Sequence, residues 1–317
     1  MNALDHLEPV VLLFSGQGAQ TVGMGKDLAD ASPAAKALWD RADAALGFPL
    51  SKVMFEGPIE ELTRTSRCQP ALFVHGMACL KVLSELLGGE PPVAAAAGLS
   101  LGEFTAHAAA GTFEFEVGLR LVQRRGELME EACEETEGSM AAMIGGEEAA
   151  VRALAESCGV DVANLNAPGQ IVLSGSRDGI AKAIAGAREA GIRMGKELQV
   201  AGAYHSRLMR SAQEKLTPEL AKVPIGTPRF PVISNYRAES AKSAVEIRET
   251  LERQVTGSVR WSESMDLLLE QGHATFLELG PGGILAGLMG RIRKGTNVLP
   301  AGDLQGLRAT AELLASA

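Results

Sequence analysis

Composition and charge limit what this chain can be. It has 317 residues, of which 46% are hydrophobic, so it can bury a large core in one domain or two. Its formal net charge of −9 argues against a nucleic-acid-binding protein. The N-terminal residues lack a signal-peptide pattern, and the apolar run Val10–Phe14 is too short to span a membrane. We therefore expect a cytoplasmic protein with neither nucleic acid nor a membrane as a partner.

Cysteine usage supports the same location. The four cysteines form no Cys-x-x-Cys pair and no metal-site spacing: Cys68, Cys79, Cys133 and Cys158. Scattered cysteines of this kind are typical of reduced, buried thiols in a cytosolic protein.

The first part of the chain alternates strand and helix patterns. Val10–Phe14 predicts a buried strand that enters a glycine-rich loop at residues 15–20, with a helix soon after it. Further helices are predicted at 34–46, 59–63 and 69–87, then a strand at 93–97 and one long helix from Glu103 towards Glu131. Such alternation predicts a parallel sheet that is covered on both faces.

The pattern changes at Gly138. Strands are predicted at 139–144, 160–165, 170–174 and 192–200, with helices at 147–157 and 178–190. The order β-α-β-β-α-β is that of a ferredoxin-like unit, which we expect as an insertion. The expected domains are residues 1–135 (large domain, first part), 136–202 (small domain) and 203–317 (large domain, second part). In the last part, helices are predicted at 205–220, 244–254, 262–271 and 284–293, and strands at 232–235 and 275–279.

The pattern Gly98-x-Ser100-x-Gly102 lies between a predicted strand and a predicted helix. That is the context of a nucleophile elbow, in which a tight turn projects the serine hydroxyl and small glycines let the chain pass closely. The helix N-terminus offers oriented N–H groups to a developing negative charge. We expect Ser100 to attack acyl groups; the alternative is a glycine-rich turn with an incidental serine.

A serine hydroxyl needs a base to remove its proton. Of the five histidines, His205 lies where the inserted unit rejoins the main domain, which is a natural position for a cleft residue. His75 and His107 fall in helical patterns, His273 in an ordinary connection and His6 near the terminus. This favours His205 as the base and leaves a structural or solvent-facing role open.

A set of motifs in a fixed order resembles the malonyl-CoA:acyl carrier protein transacylase family, which includes acyltransferase domains of polyketide synthases. The motifs are Gly16-Gln17-Gly18-x-Gln20, Gly98-x-Ser100-Leu101-Gly102-Glu103, Arg125-Gly126, Gly138-x-Met140-Ala141-Ala142, Asn166-x-Pro168-x-Gln170, His205, Ser234-Asn235 and Gly280-Pro281-Gly282. The resemblance implies an α/β fold: an α/β-hydrolase-like large domain with a parallel sheet, interrupted by a ferredoxin-like small domain. It also implies transfer of malonyl from malonyl-CoA to the phosphopantetheine thiol of an acyl carrier protein, through a malonyl-serine and without a bound cofactor or metal.

The resemblance assigns roles to individual residues. It makes Ser100 the acylated nucleophile and His205 the general base, oriented by the backbone carbonyl of Gln254. The backbone N–H groups of Gln17 and Leu101 become the oxyanion hole. The side chain of Gln254 stays open, and a helix-end residue on the surface is the plain alternative.

Substrate selection depends on residues around this centre. Arg125 matches the family's arginine for the malonyl carboxylate, which a guanidinium binds through two parallel hydrogen bonds. Tyr204 resembles the aromatic residue of malonyl-preferring relatives, and Gln69 matches a pocket-lining motif. A solvated helix charge, an aromatic packed at the domain boundary and a helix-start glutamine are the respective alternatives. Leu99 departs from the histidine that many members have before the nucleophile.

Carrier proteins of this type are acidic, so we expect a locally basic entrance. The candidates are Arg207, Arg210, Arg291, Arg293 and Lys294, with solvated helix charges as the alternative. We expect a monomer. Two other classes stay open, namely a serine hydrolase that removes acyl groups from carriers and a noncatalytic scaffold that binds them. The sequence does not separate fatty-acid from polyketide or polyunsaturated-lipid synthesis.

Overall fold

Two separate sheets organise residues 7–316, which the computed structural model describes; His6 lies outside this range. The strands are β1 (Val10–Phe14), β2 (Val93–Gly98), β3 (Gly138–Ile144), β4 (Asp161–Ala167), β5 (Gln170–Ser176), β6 (Met194–Glu197), β7 (Val232–Ile233), β8 (Thr275–Leu279) and β9 (Asn297–Pro300). The helices are α1 (Lys26–Ala31), α2 (Pro33–Leu46), α3 (Leu50–Glu56), α4 (Ile59–Thr63), α5 (Thr65–Leu87), α6 (Gly102–Ala109), α7 (Phe115–Glu135), α8 (Glu148–Cys158), α9 (Arg177–Gly186), α10 (Arg210–Lys222), α11 (Ala244–Arg253), α12 (Trp261–Glu270), α13 (Ile284–Ile292) and α14 (Leu304–Ser316).

The larger sheet has five parallel strands in the order β7-β2-β1-β8-β9. Its central strand β1 is buried along its whole length, as its unbroken apolar sequence predicts. Successive side chains point to opposite faces, so Leu12 joins one core while Leu13 joins a second core with Trp261 and Met289. The predicted parallel sheet with both faces covered is confirmed.

Three neighbouring strands of this sheet end at the same level. Phe14 of β1 pairs with Gly98 of β2 on one side and with Leu279 of β8 on the other. The loops that follow these strands therefore meet at the carboxyl edge of the sheet, which is where open α/β sheets place their ligands.

The smaller sheet is antiparallel, with the strand order β4-β5-β3-β6. Together with α8 and α9 it gives the β-α-β-β-α-β order of a ferredoxin-like unit, and it has a hydrophobic core of its own. The expected fold class is confirmed. The boundaries at residues 136 and 202 stay a prediction.

Strand β4 also links the smaller sheet to the larger part of the protein. Leu165 N–H donates to the Val259 carbonyl at 2.9 Å, and Val259 N–H donates to the Ala163 carbonyl at 2.8 Å. Asp161, on the same strand, forms an ion pair with Arg207. The two hydrogen bonds hold the small sheet beside the chain segment that connects α11 to α12, and the ion pair holds it beside the turn before α10.

The prediction of one long helix from Glu103 towards Glu131 is wrong. Two helices, α6 and α7, stand in its place and are separated by a turn at residues 110–114. Gly111 has φ 74°, which ends the helical backbone, and the Thr112 hydroxyl pairs with the His107 imidazole across the turn. Apolar periodicity continues through the break, which is why the sequence pattern missed it.

Other elements differ in extent. The helix predicted at 205–220 begins at Arg210, after a 3₁₀ turn at Arg207–Met209, because His205 has φ 54° and cannot continue a helix. The strand predicted at 192–200 is restricted to Met194–Glu197, and the one predicted at 232–235 ends at Ile233. Three elements of the structure are not among the predicted ones: α3, β9 and α14.

One helix within residues 7–316, Thr65–Leu87, is long and apolar enough to cross a membrane. However, 61% of its most apolar stretch is buried inside the protein, as in the core helix of a folded domain.

Candidate active site

The turn between β2 and α6 has the geometry of a nucleophile elbow. Ser100 has φ 56°, a left-handed conformation that is strained for a residue with a side chain. The flanking glycines make the turn possible. A Cβ on Gly98 would lie 1.9 Å from the carbonyl carbon of Gly102, and a Cβ on Gly102 would lie 2.3 Å from the carbonyl oxygen of Phe14. The glycine pattern is thus a steric requirement of this turn.

Asn235 holds the elbow from the loop that follows the neighbouring strand β7. Its Oδ1 accepts from the Ser100 N–H at 2.6 Å, and its Nδ2 donates to the Gly98 carbonyl at 2.7 Å. Asn235 belongs to one of the sequence motifs, but the motif alone assigns it no role. Its position at the carboxyl end of the predicted strand at 232–235, at the same sheet edge as Ser100, could have indicated one.

His205 reaches Ser100 across the cleft. Its Nε2 lies 2.8 Å from Ser100 Oγ, and its Nδ1 lies 2.7 Å from the backbone carbonyl oxygen of Gln254. A carbonyl oxygen can only accept, so Nδ1 carries the ring proton and Nε2 accepts from the serine hydroxyl. Burial, together with the nearby Arg125 cation, lowers the pKa of His205 to about 4. The imidazole is therefore neutral at neutral pH and available as a base.

Arg125 projects from α7 into the same centre and is only 1% exposed. Its Nη2 lies 3.2 Å from Ser100 Oγ and 2.8 Å from Gln254 Oε1, while its Nη1 donates to Gln69 Oε1 at 2.7 Å. Burial lowers the pKa of Arg125 to about 10, which still leaves a cation at neutral pH. No carboxylate within residues 7–316 forms an ion pair with it. The site therefore presents a desolvated cation beside the serine.

Glu103 is fully buried beneath this centre, on the first turn of α6. Its Oε2 accepts from the Asn235 N–H at 2.9 Å and from Gln254 Nε2 at 2.6 Å. Burial raises the pKa of the Glu103 carboxyl to about 7, although these donors and Arg125 act against it. The sequence pattern alone assigns Glu103 no role. The surface position considered for the Gln254 side chain is wrong, because that side chain is buried between Glu103 and Arg125.

Gln17 and Leu101 both line the cleft, on the loops after β1 and β2. Within the part of the chain that the structure describes, neither backbone N–H has a hydrogen-bond acceptor. Two free amides on converging loops beside a serine can stabilise a developing oxyanion.

The cleft around Ser100 has a volume of about 280 Å³ and is lined by both parts of the protein. The larger part contributes Leu99 beside the serine, and the ferredoxin-like part contributes Met140 and Asn164 from its strands. Among residues 7–316 no group of His, Cys, Asp or Glu is arranged to hold a metal ion.

The family follows from a match along most of the chain. A sequence model of the acyl transferase domain matches residues 11–297. The chain belongs to the acyl transferase domain family. This acyltransferase is 40% identical over 302 residues to a malonyl CoA-acyl carrier protein transacylase of Bacillus subtilis (strain 168), with 94% of each chain covered. The resemblance that the motifs indicated is thereby confirmed.

Solved structures give the same result. The malonyl CoA-acyl carrier protein transacylase from Coxiella burnetii superposes with a TM-score of 0.93 at 34% identity, covering 98% of both chains. A malonyl-transacylase in complex with its type II PKS acyl-carrier protein also has a TM-score of 0.93 at 34% identity, covering 96% of this chain and 100% of that one. Both solved structures therefore share the fold of this chain along nearly its whole length.

The remaining predicted residues of this acyltransferase lie around the cleft. Tyr204 lines it and is nearly buried, with its hydroxyl 2.6 Å from Thr65 Oγ1. Burial raises the pKa of the Tyr204 phenol. Gln69 is buried against Arg125, so it is more than a helix-start residue. His75 and His107 are buried packing residues on α5 and α6.

The cations proposed for a basic entrance differ in their surroundings. Arg207 forms a multiple contact with Asp161, including Nη2 to Oδ1 at 2.5 Å, so its charge is already paired. Arg293 lies 4.0 Å from Asp266. Arg210 and Arg291 are exposed.

Proposed function

We propose that this acyltransferase moves a malonyl group from malonyl-CoA to the phosphopantetheine thiol of an acyl carrier protein, through a malonyl ester on Ser100. One observation carries the proposal: Ser100 Oγ lies 2.8 Å from a neutral imidazole and 3.2 Å from a buried guanidinium. The first can activate the hydroxyl, and the second can hold a carboxylate attached to the transferred acyl group.

The first half-reaction acylates the serine. His205 Nε2 takes the hydroxyl proton as Ser100 Oγ bonds to the thioester carbonyl carbon. The oxyanion accepts hydrogen bonds from the backbone amides of Gln17 and Leu101. The carbon–sulfur bond then breaks, the carbonyl re-forms, and coenzyme A leaves as a thiol with the proton from His205. The Gln254 carbonyl keeps the imidazole in the required tautomer throughout.

Arg125 selects the acyl group. Malonyl differs from acetyl by a terminal carboxylate, which can pair with the guanidinium beside the esterified serine. Loss of one partner from a buried ion pair costs about 3–5 kcal/mol, which corresponds to a discrimination of about a hundredfold to several thousandfold. An acetyl group leaves the Arg125 cation buried without that partner.

The second half-reaction reverses the first. His205 deprotonates the incoming phosphopantetheine thiol, whose sulfur attacks the malonyl ester, and the proton returns to Ser100 Oγ as the ester bond breaks. Both thiols arrive with the substrates, so the proposed cycle uses no resident cofactor. The cleft must disfavour water as the attacking group, since otherwise the ester would be hydrolysed.

Several broader proposals accompany this function. The carrier protein as partner is supported by the relative that was solved with its type II PKS acyl-carrier protein. We further propose a monomer in the cytoplasm, and a small domain at residues 136–202 inserted between residues 1–135 and 203–317. The strands of the antiparallel sheet all fall between these boundaries.

The test is to incubate the protein with malonyl-CoA or acetyl-CoA, locate the acyl group by peptide mass spectrometry, and then add a phosphopantetheinylated carrier protein. We expect malonyl on Ser100, little acetyl, and malonyl-carrier as the product. Release of free malonate in place of malonyl-carrier would indicate a hydrolase. Absence of any label on Ser100 would indicate a scaffold and contradict the proposal.

A further inference from the structure

The side chain of Gln254 has three polar contacts that the proposed reaction cycle does not use. Its Oε1 accepts from Arg125 Nη2 at 2.8 Å, and its Nε2 donates to Glu103 Oε2 at 2.6 Å and to the Ser100 carbonyl at 3.3 Å. The residue is 0% exposed. Burying a polar amide costs free energy unless its hydrogen bonds are made. The three contacts of this fully buried side chain therefore need an explanation.

The neighbours fix which way the amide points. Both groups next to Nε2 are acceptors, and the group next to Oε1 is a donor. The Glu103 carboxylate is the stronger of the two acceptors, so it sets the orientation that presents Oε1 to Arg125.

Two neutral amide oxygens hold the Arg125 guanidinium, one at each of its terminal nitrogens. Gln69 Oε1 accepts from Nη1 and Gln254 Oε1 accepts from Nη2, while Nε has no hydrogen-bond partner within residues 7–316. Amide oxygens aim the guanidinium at Ser100 without neutralising it. A carboxylate in direct contact would instead compete with an acyl carboxylate for the same N–H groups.

We propose that Gln254 is a positioning residue that determines acyl selectivity. Its side-chain amide, oriented by Glu103, keeps Arg125 charged and directed at the acyl group on Ser100. This inference rests on the proposed function. It is separate from the backbone carbonyl of Gln254, which supports His205 and hence the reactivity of the serine towards any acyl donor.

The experiment measures kcat/KM with malonyl-CoA and with acetyl-CoA and compares the malonyl-to-acetyl ratio of each variant with that of the wild type. A general loss of Ser100 reactivity lowers both values equally and so cancels in the ratio. Gln254→Met keeps the backbone carbonyl and nearly the same volume but removes the amide. We expect the malonyl-to-acetyl ratio to fall about tenfold to a hundredfold, because one hydrogen bond to a buried charge is lost. Gln254→Glu places a carboxylate against Arg125 and should lower the ratio at least as far, so it tests the same point if Gln254→Met does not fold.

The matched control is Gln213→Met. Gln213 contacts Thr256 and Glu252, on either side of Gln254, but it does not touch Arg125. The control should keep the wild-type ratio. An unchanged ratio in folded Gln254→Met, or an equal fall in Gln213→Met, would overturn the inference. Failure of the wild type to accept malonyl would instead overturn the proposed function, so the two failures are distinguishable.

Discussion

The His205 imidazole lies 2.8 Å from the Ser100 hydroxyl although 105 positions separate the two residues in the chain. Both have left-handed backbones, with φ 56° at Ser100 and φ 54° at His205. Strain of this kind persists only where the surroundings enforce it, and here it brings the two side chains into contact.

The acylation rate should depend on pH as expected for a histidine of low pKa. Burial and Arg125 lower the pKa of His205 to about 4, so the base is lost only as the pH falls through that value. At pH 5.5, a histidine with the usual pKa of about 6.5 would retain only about one tenth of its neutral form. We expect Ser100 acylation at pH 5.5, followed by rapid quench and mass spectrometry, to keep most of its rate at pH 7.5. A tenfold fall would contradict the assigned environment of His205.

Gly98→Ala should abolish folding or acylation. The new Cβ would lie 1.9 Å from the backbone of Gly102, and neither segment can move without displacing Ser100. Gly287→Ala is the matched control, because nothing lies within 4 Å of its Cβ on α13, and it should be neutral or stabilising by up to about 1 kcal/mol. Soluble yield, thermal unfolding and Ser100 acylation check both variants. Wild-type behaviour of Gly98→Ala would mean that the elbow tolerates a side chain there.

Asn235→Ala should destabilise the elbow. It leaves the Ser100 N–H and the Gly98 carbonyl without their partners, and each unsatisfied buried group costs about 1–3 kcal/mol. Urea unfolding should show a reduced free energy of unfolding, and kcat should fall with both acyl donors. Asn297→Ala, at the exposed first residue of β9, is the control and should change neither. Equal stability of the two variants would exclude the support assigned to Asn235.

The protein should lose stability in mild acid. Burial lowers the pKa of His75 to about 4 and that of His107 to about 3, whereas in the unfolded chain each titrates near 6.5. Between these values the unfolded chain binds more protons, so the free energy of unfolding decreases as the pH falls from about 6.5 to about 4. Glu103, whose pKa burial raises to about 7, acts in the opposite direction between pH 7 and 4.5.

His107→Gln should reduce this acid sensitivity. Urea unfolding at pH 6.5 and at pH 4.5 should show a smaller loss of stability in the variant than in the wild type, by about 2 kcal/mol. An identical loss in both proteins would mean that His107 already binds a proton in the folded state.

Local patterns predicted most of the fold. The apolar run of β1 and the glycines around Ser100 impose their structure through short-range sterics and burial, so they can be recognised without a partner. The break between α6 and α7 was missed because its turn keeps the apolar periodicity of the helices that it joins. The terminal strand β9 was missed as well, since it is the edge strand of the larger sheet and pairs only with β8 in the folded protein. Helix α14, which follows it, was also missed.

Residues of the candidate site could be predicted where they belong to a recognisable sequence motif. Ser100 and His205 stand in such motifs. The burial of Glu103 and of the Gln254 side chain could not be predicted, because it depends on how α6, α7 and the end of α11 pack around Arg125. A carboxylate at the start of a helix and an amide at the end of one are ordinary surface residues until that packing is known.

The most direct test of malonyl transfer through Ser100 compares Arg125→Ala with Arg124→Ala. Arg124 is the adjacent residue on α7, where it pairs with Glu127 and Glu131 and is 40% exposed, so it controls for loss of a cation on this helix. Ser100 labelling by malonyl-CoA and by acetyl-CoA is measured for both variants and the wild type. We predict that Arg124→Ala keeps the preference for malonyl and that Arg125→Ala loses it by about a hundredfold or more, through weaker malonyl labelling. An unchanged preference in Arg125→Ala would contradict the account.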